Sequence, residues 1–264
     1  MTREHVIPKF LHEFQKTLSA SYSGWNEVAE KMIRGEATVK DVCEDCNGKK
    51  LGPLDDAAKR LLAEANLLVS NYTRSTITLK YDFDLLVRWL LKVSFNSTRT
   101  DGVHSYMFDP HIPYMLNGTN RVHRSKIAIL AYFSGPDTPN TAKTKQENFS
   151  FFTNVSENMN PFFVRICYGH VPGEKNYALR LVIIGALVFF MLVFENEASP
   201  GHAAAAIRAF IKNIPRAVEL SPTTKLITLR PGKPTWLDLY QQQIMRLQKI
   251  DQERSNQNAP HQKN

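Results

Sequence analysis

Apolar residues recur at helical spacing in six stretches of the chain, and each of these stretches has a polar face. The stretches cover residues 8–18, 25–33, 53–66, 82–95, 202–214 and 236–250. The stretch at 53–66 begins with Pro53 and Asp55, which are both favoured in the first turn of a helix. The stretch at 82–95 is the most regular, because apolar side chains occupy one face from Phe83 to Val93. The pattern therefore predicts a helix in each stretch.

Short apolar runs bounded by polar or turn residues predict strands between these helices. They cover residues 38–42, 76–79, 127–133, 151–155, 162–168 and 226–229. The most apolar run, residues 181–194, is shorter than the roughly 20 residues that a membrane span needs. It contains Gly185 and is rich in Val, Ile and Phe, so it predicts two buried strands joined near Gly185. Helices and strands in this arrangement indicate an α+β fold.

Two short motifs contain the candidate chemistry. Glu4 and His5 begin a Glu-His-Val-Ile-Pro segment and offer a carboxylate and an imidazole, which together can hold a divalent cation and activate water. Cys43 and Cys46 form a Cys-x-x-Cys pair that can share one zinc ion, and Asn47 and a glycine follow at once. A short hairpin that brings the two segments together would point Glu4, His5 and Asn47 at one solvent-open place.

These motifs together resemble the HNH nuclease family, and in particular bacterial HNH-like proteins. The ββα-metal finger of that family runs from an acidic-His-hydrophobic-x-Pro motif to a cysteine knuckle that enters a helix. The resemblance covers residues 1–65 and implies a small, treble-clef-like finger, which we assign to residues 1–70. Residues 71–250 are then a larger mixed region of helices and strands, and the Gln- and Asn-rich residues 251–264 are expected to be a disordered polar tail.

The resemblance also implies a role for each motif residue. Glu4 and Asn47 match the ligands of the catalytic metal ion, and His5 matches the general base. Thr38 takes the position of the residue that orients the base, where the family usually has Asn. This departure matters because Thr has a single short hydroxyl with which to hold the imidazole.

The resemblance implies a structural zinc site only in part. Cys43 and Cys46 match half of such a site, whereas tetrahedral zinc takes four ligands. The finger is then expected to hold zinc weakly, to fold without it, or to recruit other ligands. Cys167 and His170 have ligand-like spacing, although a buried strand thiol and a turn histidine are the favoured interpretation of that pair.

Basic residues near the motifs are candidates for contacts with nucleic acid. Lys9, Lys49 and Lys50 lie beside the motif residues in sequence and are expected to hold flanking phosphates as point charges. Arg88 and Lys92 are spaced by four on the predicted helix at 82–95. Several bacterial HNH-like proteins continue past the finger with a helix that carries a similar Arg-Trp-x-x-Lys run, and this adds to the resemblance. An Arg and Lys pair spaced by four is nevertheless typical of a solvated helix face.

Composition sets the wider limits. The chain has 264 residues, of which 43% are hydrophobic, so it can bury a sizeable core. Its 33 Lys and Arg residues outnumber 25 Asp and Glu residues, and the net charge of +8 favours a polyanionic partner, first of all DNA. Three cysteines argue against a disulfide scaffold and for a reducing, cytoplasmic setting. Residues 1–18 are mixed and charged, so no signal peptide is expected.

The sequence therefore favours a metal-dependent nucleic-acid endonuclease, which would hydrolyse phosphodiester bonds with Mg²⁺ or Mn²⁺. The alternative is a catalytically degenerate HNH-like protein that binds nucleic acid or another molecule. A redox role for the Cys-x-x-Cys pair is least favoured, because the βαβ pattern in which such redox motifs occur is missing.

Overall fold

The structure is a computed structural model with a mixed α+β fold. It describes residues 2–18, 23–26, 31–34, 37–101, 105–119, 125–137, 158–169, 177–195 and 198–239. The helices are α1 (Lys9–Thr17), α2 (Gly52–Glu64), α3 (Phe83–Asp101), α4 (Ile112–Asn117) and α5 (Pro200–Asn213). The strands are β1 (Thr2–His5), β2 (Ser23–Asn26), β3 (Lys31–Arg34), β4 (Thr38–Val42), β5 (Ile77–Lys80), β6 (Ile127–Ser134), β7 (Val164–Gly169), β8 (Tyr177–Ile184), β9 (Leu187–Phe194), β10 (Val218–Glu219), β11 (Leu226–Leu229) and β12 (Pro231–Gly232).

A six-stranded sheet forms the centre of the fold, with the order β10-β6-β9-β8-β7 and with β12 paired to β6. All pairings are antiparallel except that of β12 with β6. A two-residue turn at Gly185 and Ala186 joins β8 to β9, and its first residue has a φ of +54°, where glycine is favoured. The predicted pair of buried strands joined near Gly185 is therefore confirmed.

Helices cover both faces of this sheet. On one face Ile129 and Phe189 belong to the same apolar core as Leu90 of α3. On the other face Phe190 packs with Ile207 of α5. A sheet that is buried on both sides has no polar face, which explains why its central strands are apolar at nearly every position.

Helix α3 connects the N-terminal elements to the sheet. On its sheet side, the Ser94 hydroxyl donates to Met191 Sδ at 3.3 Å, and the Ser94 backbone oxygen accepts from Arg180 Nη2 at 3.4 Å. On another side, Trp89 and Lys92 contact α2 through hydrogen bonds. The position of α3 thus fixes how residues near the N-terminus face the rest of the protein.

The N-terminal elements are a pair of two-stranded ribbons and two helices. β1 pairs with β4, β2 pairs with β3, and α1 follows β1 in the chain. After β4 the chain passes through a π-helical turn at Cys46–Leu51 directly into α2. β1, β4 and α2 follow one another as strand, strand and helix, with α1, β2 and β3 between β1 and β4 in the chain. Leu11 and Leu54 share one apolar core with Phe189, so residues from both sides of position 70 pack together.

Most predicted elements agree with the structure to within a few residues, and one is wrong. The predicted helix at 25–33 begins in β2 and ends in β3, where Trp25 pairs with Met32 across the ribbon. A short run with an aromatic and a β-branched residue fits a strand as well as a helix, so its periodicity misled the prediction. The predicted helix at 82–95 continues to Asp101. The predicted strand at 151–155, the later part of the helix at 236–250 and the tail at 251–264 lie outside the described residues.

Candidate functional site

The register of the β1–β4 ribbon brings the first motif opposite Thr38. His5 pairs with Thr38 and Glu4 pairs with Val39 in antiparallel register. Successive side chains of a strand point to opposite faces, so Glu4 and His5 leave β1 on different sides. His5 is therefore beside Thr38, the residue that was expected to orient it, whereas Glu4 and His5 do not point at one place as the sequence predicted.

Glu4 lies in a buried charge cluster that the sequence did not predict. Lys92 Nζ is 2.7 Å from Glu4 Oε1 and 2.7 Å from Asp55 Oδ2, and the Lys92 side chain is 1% exposed. Trp89 Nε1 donates to the other oxygen of Asp55, Oδ1, at 3.0 Å. We call Glu4, Asp55, Trp89 and Lys92 the Lys92 cluster. It contains two carboxylates and one ammonium, so its net charge is negative by one.

Two expectations are corrected by this cluster. Glu4 was expected to face solvent, but it is 5% exposed because Lys92 holds its carboxylate inside the protein. Lys92 and Arg88 were interpreted as a solvated helix face. Lys92 is instead buried, and Arg88 donates from Nε to Met115 O at 3.0 Å. Both cations face partners that are distant in sequence, which their helical spacing alone does not reveal.

His5 is held through its backbone by α3. Asn96 Nδ2 donates to the His5 backbone oxygen at 3.2 Å, and the side-chain oxygen of Asn96, Oδ1, accepts a short hydrogen bond from Arg99 Nη2. The His5 ring lies edge-on to the ring of His12 of α1, with 6.0 Å between the centroids. Lys92 and Asn96 are one helical turn apart, so neighbouring turns of α3 fix the two consecutive residues Glu4 and His5.

Asn47 is attached to the beginning of β1. Its Nδ2 donates to Thr2 Oγ1 at 3.1 Å and to the Arg3 carbonyl oxygen at 3.2 Å. The Thr2 hydroxyl donates in turn to the Val42 carbonyl oxygen at 3.0 Å, across the ribbon. These contacts use the nitrogen of the Asn47 amide, and its Oδ1 accepts no hydrogen bond within the described part of the chain. Asn47, the predicted metal ligand, thus contacts β1 at Thr2 and Arg3, the two residues directly before Glu4.

Cys43 and Cys46 lie next to each other at the surface, just before α2. The Cys46 backbone N–H donates to Cys43 Sγ at 3.2 Å, and Cys43 is exposed. The Cys46 thiol and this N–H lower the pKa of Cys43 below its ordinary value, and the same thiol contact raises the pKa of Cys46. The pair can supply two zinc ligands. Cys167 lies in β7, and His170 is outside the described residues.

The three lysines expected to contact phosphates have partners near the ribbon. Lys9 lies 3.6 Å from Glu13 and Lys49 lies 2.6 Å from Asp45, both as exposed pairs one helical turn apart. Lys50 Nζ donates to Asn117 Oδ1 of α4 at 2.6 Å. Exposed pairs of this kind are weak, so Lys9 and Lys49 remain available to a polyanion.

The oxygen atoms of Glu4 and Asn47 are of the kind that suits a hard divalent cation such as Mg²⁺ better than zinc, and Glu4 Oε1 is paired with Lys92 at 2.7 Å. Glu4 and Asn47 supply carboxylate and amide oxygens, which hard cations such as Mg²⁺ prefer, and the Lys92 cluster has one excess negative charge. A tetrahedral zinc site needs four ligands, and Cys43 and Cys46 supply two. Among the described residues, no group of three or more His, Cys, Asp and Glu side chains is arranged to hold a metal ion.

Comparison of the chain with protein-family models, with curated proteins and with solved structures gave no match. No helix in the described part of the chain is long and apolar enough to cross a membrane.

Proposed function

We propose that the protein is a metal-dependent endonuclease that hydrolyses phosphodiester bonds of nucleic acid, with DNA as the first substrate to test. The observation that carries this proposal is the β1–β4 register, in which His5 lies opposite Thr38. The attachment of Asn47 to the start of β1 supports it further. Thr38 and Asn47 are far from His5 in sequence, and both contact or pair with β1.

In this mechanism His5 removes a proton from the water that attacks the scissile phosphate. A general base must lie within hydrogen-bonding reach of that water, so its ring must be held in position. The hydrogen bond from Asn96 to the His5 carbonyl and the antiparallel partner Thr38 hold the backbone from which the ring projects. The backbone of the base is therefore held on two sides.

Glu4 and Asn47 are the residues that would hold a divalent metal ion. When bound, such an ion neutralises negative charge that develops on the phosphate in the transition state. The hydrogen bonds of Asn47 to β1 keep its amide beside the ribbon and direct its nitrogen inward. The side-chain oxygen of Asn47, Oδ1, is then available to a metal ion. Lys9 and Lys49 add positive charge along the path of the nucleic-acid backbone.

A first experiment measures nicking of supercoiled plasmid and cleavage of RNA by the parent protein with Mg²⁺ or Mn²⁺. We expect metal-dependent cleavage, and we expect Asn47→Ala to lose activity and to recover part of it in excess metal, because one ligand is lost while His5 remains. Full activity of Asn47→Ala at low metal concentration would exclude Asn47 as a ligand. Full activity of the parent in EDTA would exclude the metal-dependent reaction.

One observation favours a second candidate, a nucleic-acid-binding protein without catalysis. Lys92 already neutralises Glu4, and a buried ion pair of this kind keeps a carboxylate from other cations. Measuring DNA binding and DNA cleavage in the same samples distinguishes the endonuclease from the binding protein. A binding protein would retain DNA with an affinity that falls as salt rises, and it would show no cleavage with either metal.

A further inference from the structure

Cys43 and Cys46 lie on a single helical turn at the surface. The Asn47 backbone N–H donates to the Cys43 carbonyl oxygen at 2.9 Å, which closes this turn around both cysteines. Residues three apart in a helix have Cα atoms about 5 Å apart, and a disulfide spans Cα distances of about 4.4–6.8 Å. The Cys46 backbone N–H also points at Cys43 Sγ, at 3.2 Å. The turn therefore holds the two thiols where a disulfide can close.

The two thiols differ in exposure and in their place relative to the helix. Cys43 is exposed, whereas Cys46 is half-buried. Cys43 also lies directly before the helical segment that leads into α2, and N–H groups at the start of a helix stabilise negative charge on a sulfur atom. Thiolate character and access decide which of two cysteines attacks first. Both properties favour Cys43 as the attacking thiol and leave Cys46 as the resolving thiol.

Contacts on either side of the pair hold the turn in place. Val42, directly before Cys43, accepts a hydrogen bond from Thr2 Oγ1 at 3.0 Å. Asn47, directly after Cys46, donates to the same Thr2 Oγ1 at 3.1 Å. One hydroxyl of β1 thus fixes both ends of the segment that contains the pair. Because the second thiol is held close to the first, ring closure is favoured over reaction with a second molecule.

We propose that Cys43 and Cys46 are a modification site at which a low-molecular-weight disulfide oxidises the pair to an intramolecular disulfide. In the first step Cys43 gives its proton to water and its sulfur attacks the reagent, whose S–S bond breaks to release one thiolate. In the second step Cys46 gives its proton to water and its sulfur attacks Cys43 Sγ, which breaks the bond to the reagent and releases a second thiolate. The two thiolates take up two protons. The pair has then lost two electrons, and the reagent has been reduced to two thiols.

This modification goes beyond the proposed function and does not depend on it. Thiol–disulfide exchange needs neither a metal ion nor nucleic acid. It is not an oxidoreductase activity of the kind that the sequence disfavours, because the protein itself is the substrate. In a reducing setting the pair stays as two thiols until an oxidised disulfide is present.

The test treats the reduced whole chain with oxidised glutathione and follows the cysteines by peptide mass after rapid acid quenching. Trypsin cuts after Lys40 and Lys49, so both cysteines of the pair lie on peptide 41–49 and Cys167 lies on another peptide. We expect peptide 41–49 of the parent to lose two hydrogen atoms and to keep no glutathione. Cys167→Ser in β7 is the matched control and should behave like the parent.

Two further variants separate the roles within the pair. Cys46→Ser keeps the attacking thiol and lacks the resolving thiol, so its peptide should stop with one glutathione on Cys43. Cys43→Ser should react at least about tenfold more slowly than Cys46→Ser, because the more exposed nucleophile has gone. Equal rates in these two variants would overturn the proposal. Thermal melting of each variant is recorded, and the peptide of the parent decides the proposal by itself if a variant does not fold.

Several results with the parent would contradict the proposal. These are an unreactive peptide 41–49, a lasting glutathione adduct on it, or a disulfide from either residue of the pair to Cys167. A pair that reacts only after EDTA is added would contradict it too, because the thiols would then serve as metal ligands. Repeating the reaction in urea tests the contribution of the fold. The glutathione adduct should last longer in the unfolded chain, and equal lifetimes in the folded and unfolded chains would show that the turn does not position the pair and would overturn the proposal.

Discussion

Replacement of Lys92 by Met should be among the most destabilising single changes in the N-terminal part of the protein. Lys92 makes two ion pairs at 2.7 Å, and its side chain is 1% exposed. Removal of one partner of a buried ion pair typically costs about 3–5 kcal/mol, because the remaining charge stays buried without compensation. In Lys92→Met the Glu4 carboxylate would stay buried without a partner, whereas the Asp55 side chain is 25% exposed and can be solvated in part. We therefore expect a loss of about 3–4 kcal/mol in the free energy of unfolding.

A double-mutant cycle separates this pair from simple loss of packing. Glu4→Gln leaves Lys92 paired with Asp55, so it should cost less, about 1.5–3 kcal/mol for a lost charged hydrogen bond. The double variant Glu4→Gln/Lys92→Met leaves neither a buried ammonium nor a buried Glu4 carboxylate. It should be more stable than the sum of the single changes implies, with a coupling energy of about 1–3 kcal/mol.

The assay is equilibrium unfolding in urea, followed by tryptophan fluorescence and by far-UV circular dichroism to check that both probes report one transition. The exposed pair of Asp45 and Lys49, at 2.6 Å, provides the control cycle, with side chains 57% and 81% exposed. Its coupling energy should be below about 1 kcal/mol. Additive effects of Glu4→Gln and Lys92→Met, or equal coupling in both cycles, would refute the account of the Lys92 cluster.

Two further predictions concern groups outside the cluster. Burial, aided by the nearby charge of Lys126, lowers the pKa of His111 from its ordinary value of 6.5 to about 4. The folded protein thus favours the neutral ring, so the contribution of His111 to the free energy of unfolding is fully present above pH 6.5 and is lost as pH falls towards 4. The melting temperature should therefore fall less over this pH range in His111→Gln than in the parent. An identical fall in both proteins would contradict the assignment. Gly185→Ala should lower the free energy of unfolding by about 1–2 kcal/mol, because the φ of +54° is strained for Ala and the new Cβ meets Phe162 at 3.2 Å. Gly201→Ala on α5 meets nothing within 4 Å and should be neutral or stabilising, so equal melting temperatures of the two variants would be inconsistent with this reasoning.

Elements with strong local patterns could be predicted from the sequence. Helix α2 begins at a Gly-Pro pair and buries Leu54, Leu61 and Leu62 on one face, which is the periodicity seen in the sequence. The β8–β9 hairpin followed from an apolar run with Gly185 in its middle. In both cases the signal lies within a few neighbouring residues, and tertiary contacts reinforce it.

Other features depend on contacts between distant parts of the chain. Lys92 was interpreted as solvated because its helical spacing from Arg88 is that of an exposed pair, while its carboxylate partners lie on β1 and α2. The pairing of β6 with β9 likewise joins segments that are not consecutive. Periodicity indicates which face of an element is apolar, but it does not indicate which element will cover that face. The burial of Glu4 and the order of the sheet could therefore not be predicted.

In the proposed reaction His5 acts as the base, and the rate of plasmid nicking by His5→Ala measures that role. Removal of a general base should lower the rate by roughly 10² to 10⁴, while DNA affinity and melting temperature stay close to those of the parent. His202→Ala, an exposed histidine near the start of α5, is the matched control and should cleave like the parent. Equal nicking rates for His5→Ala and His202→Ala, at equal metal and protein concentrations, would exclude His5 as the base.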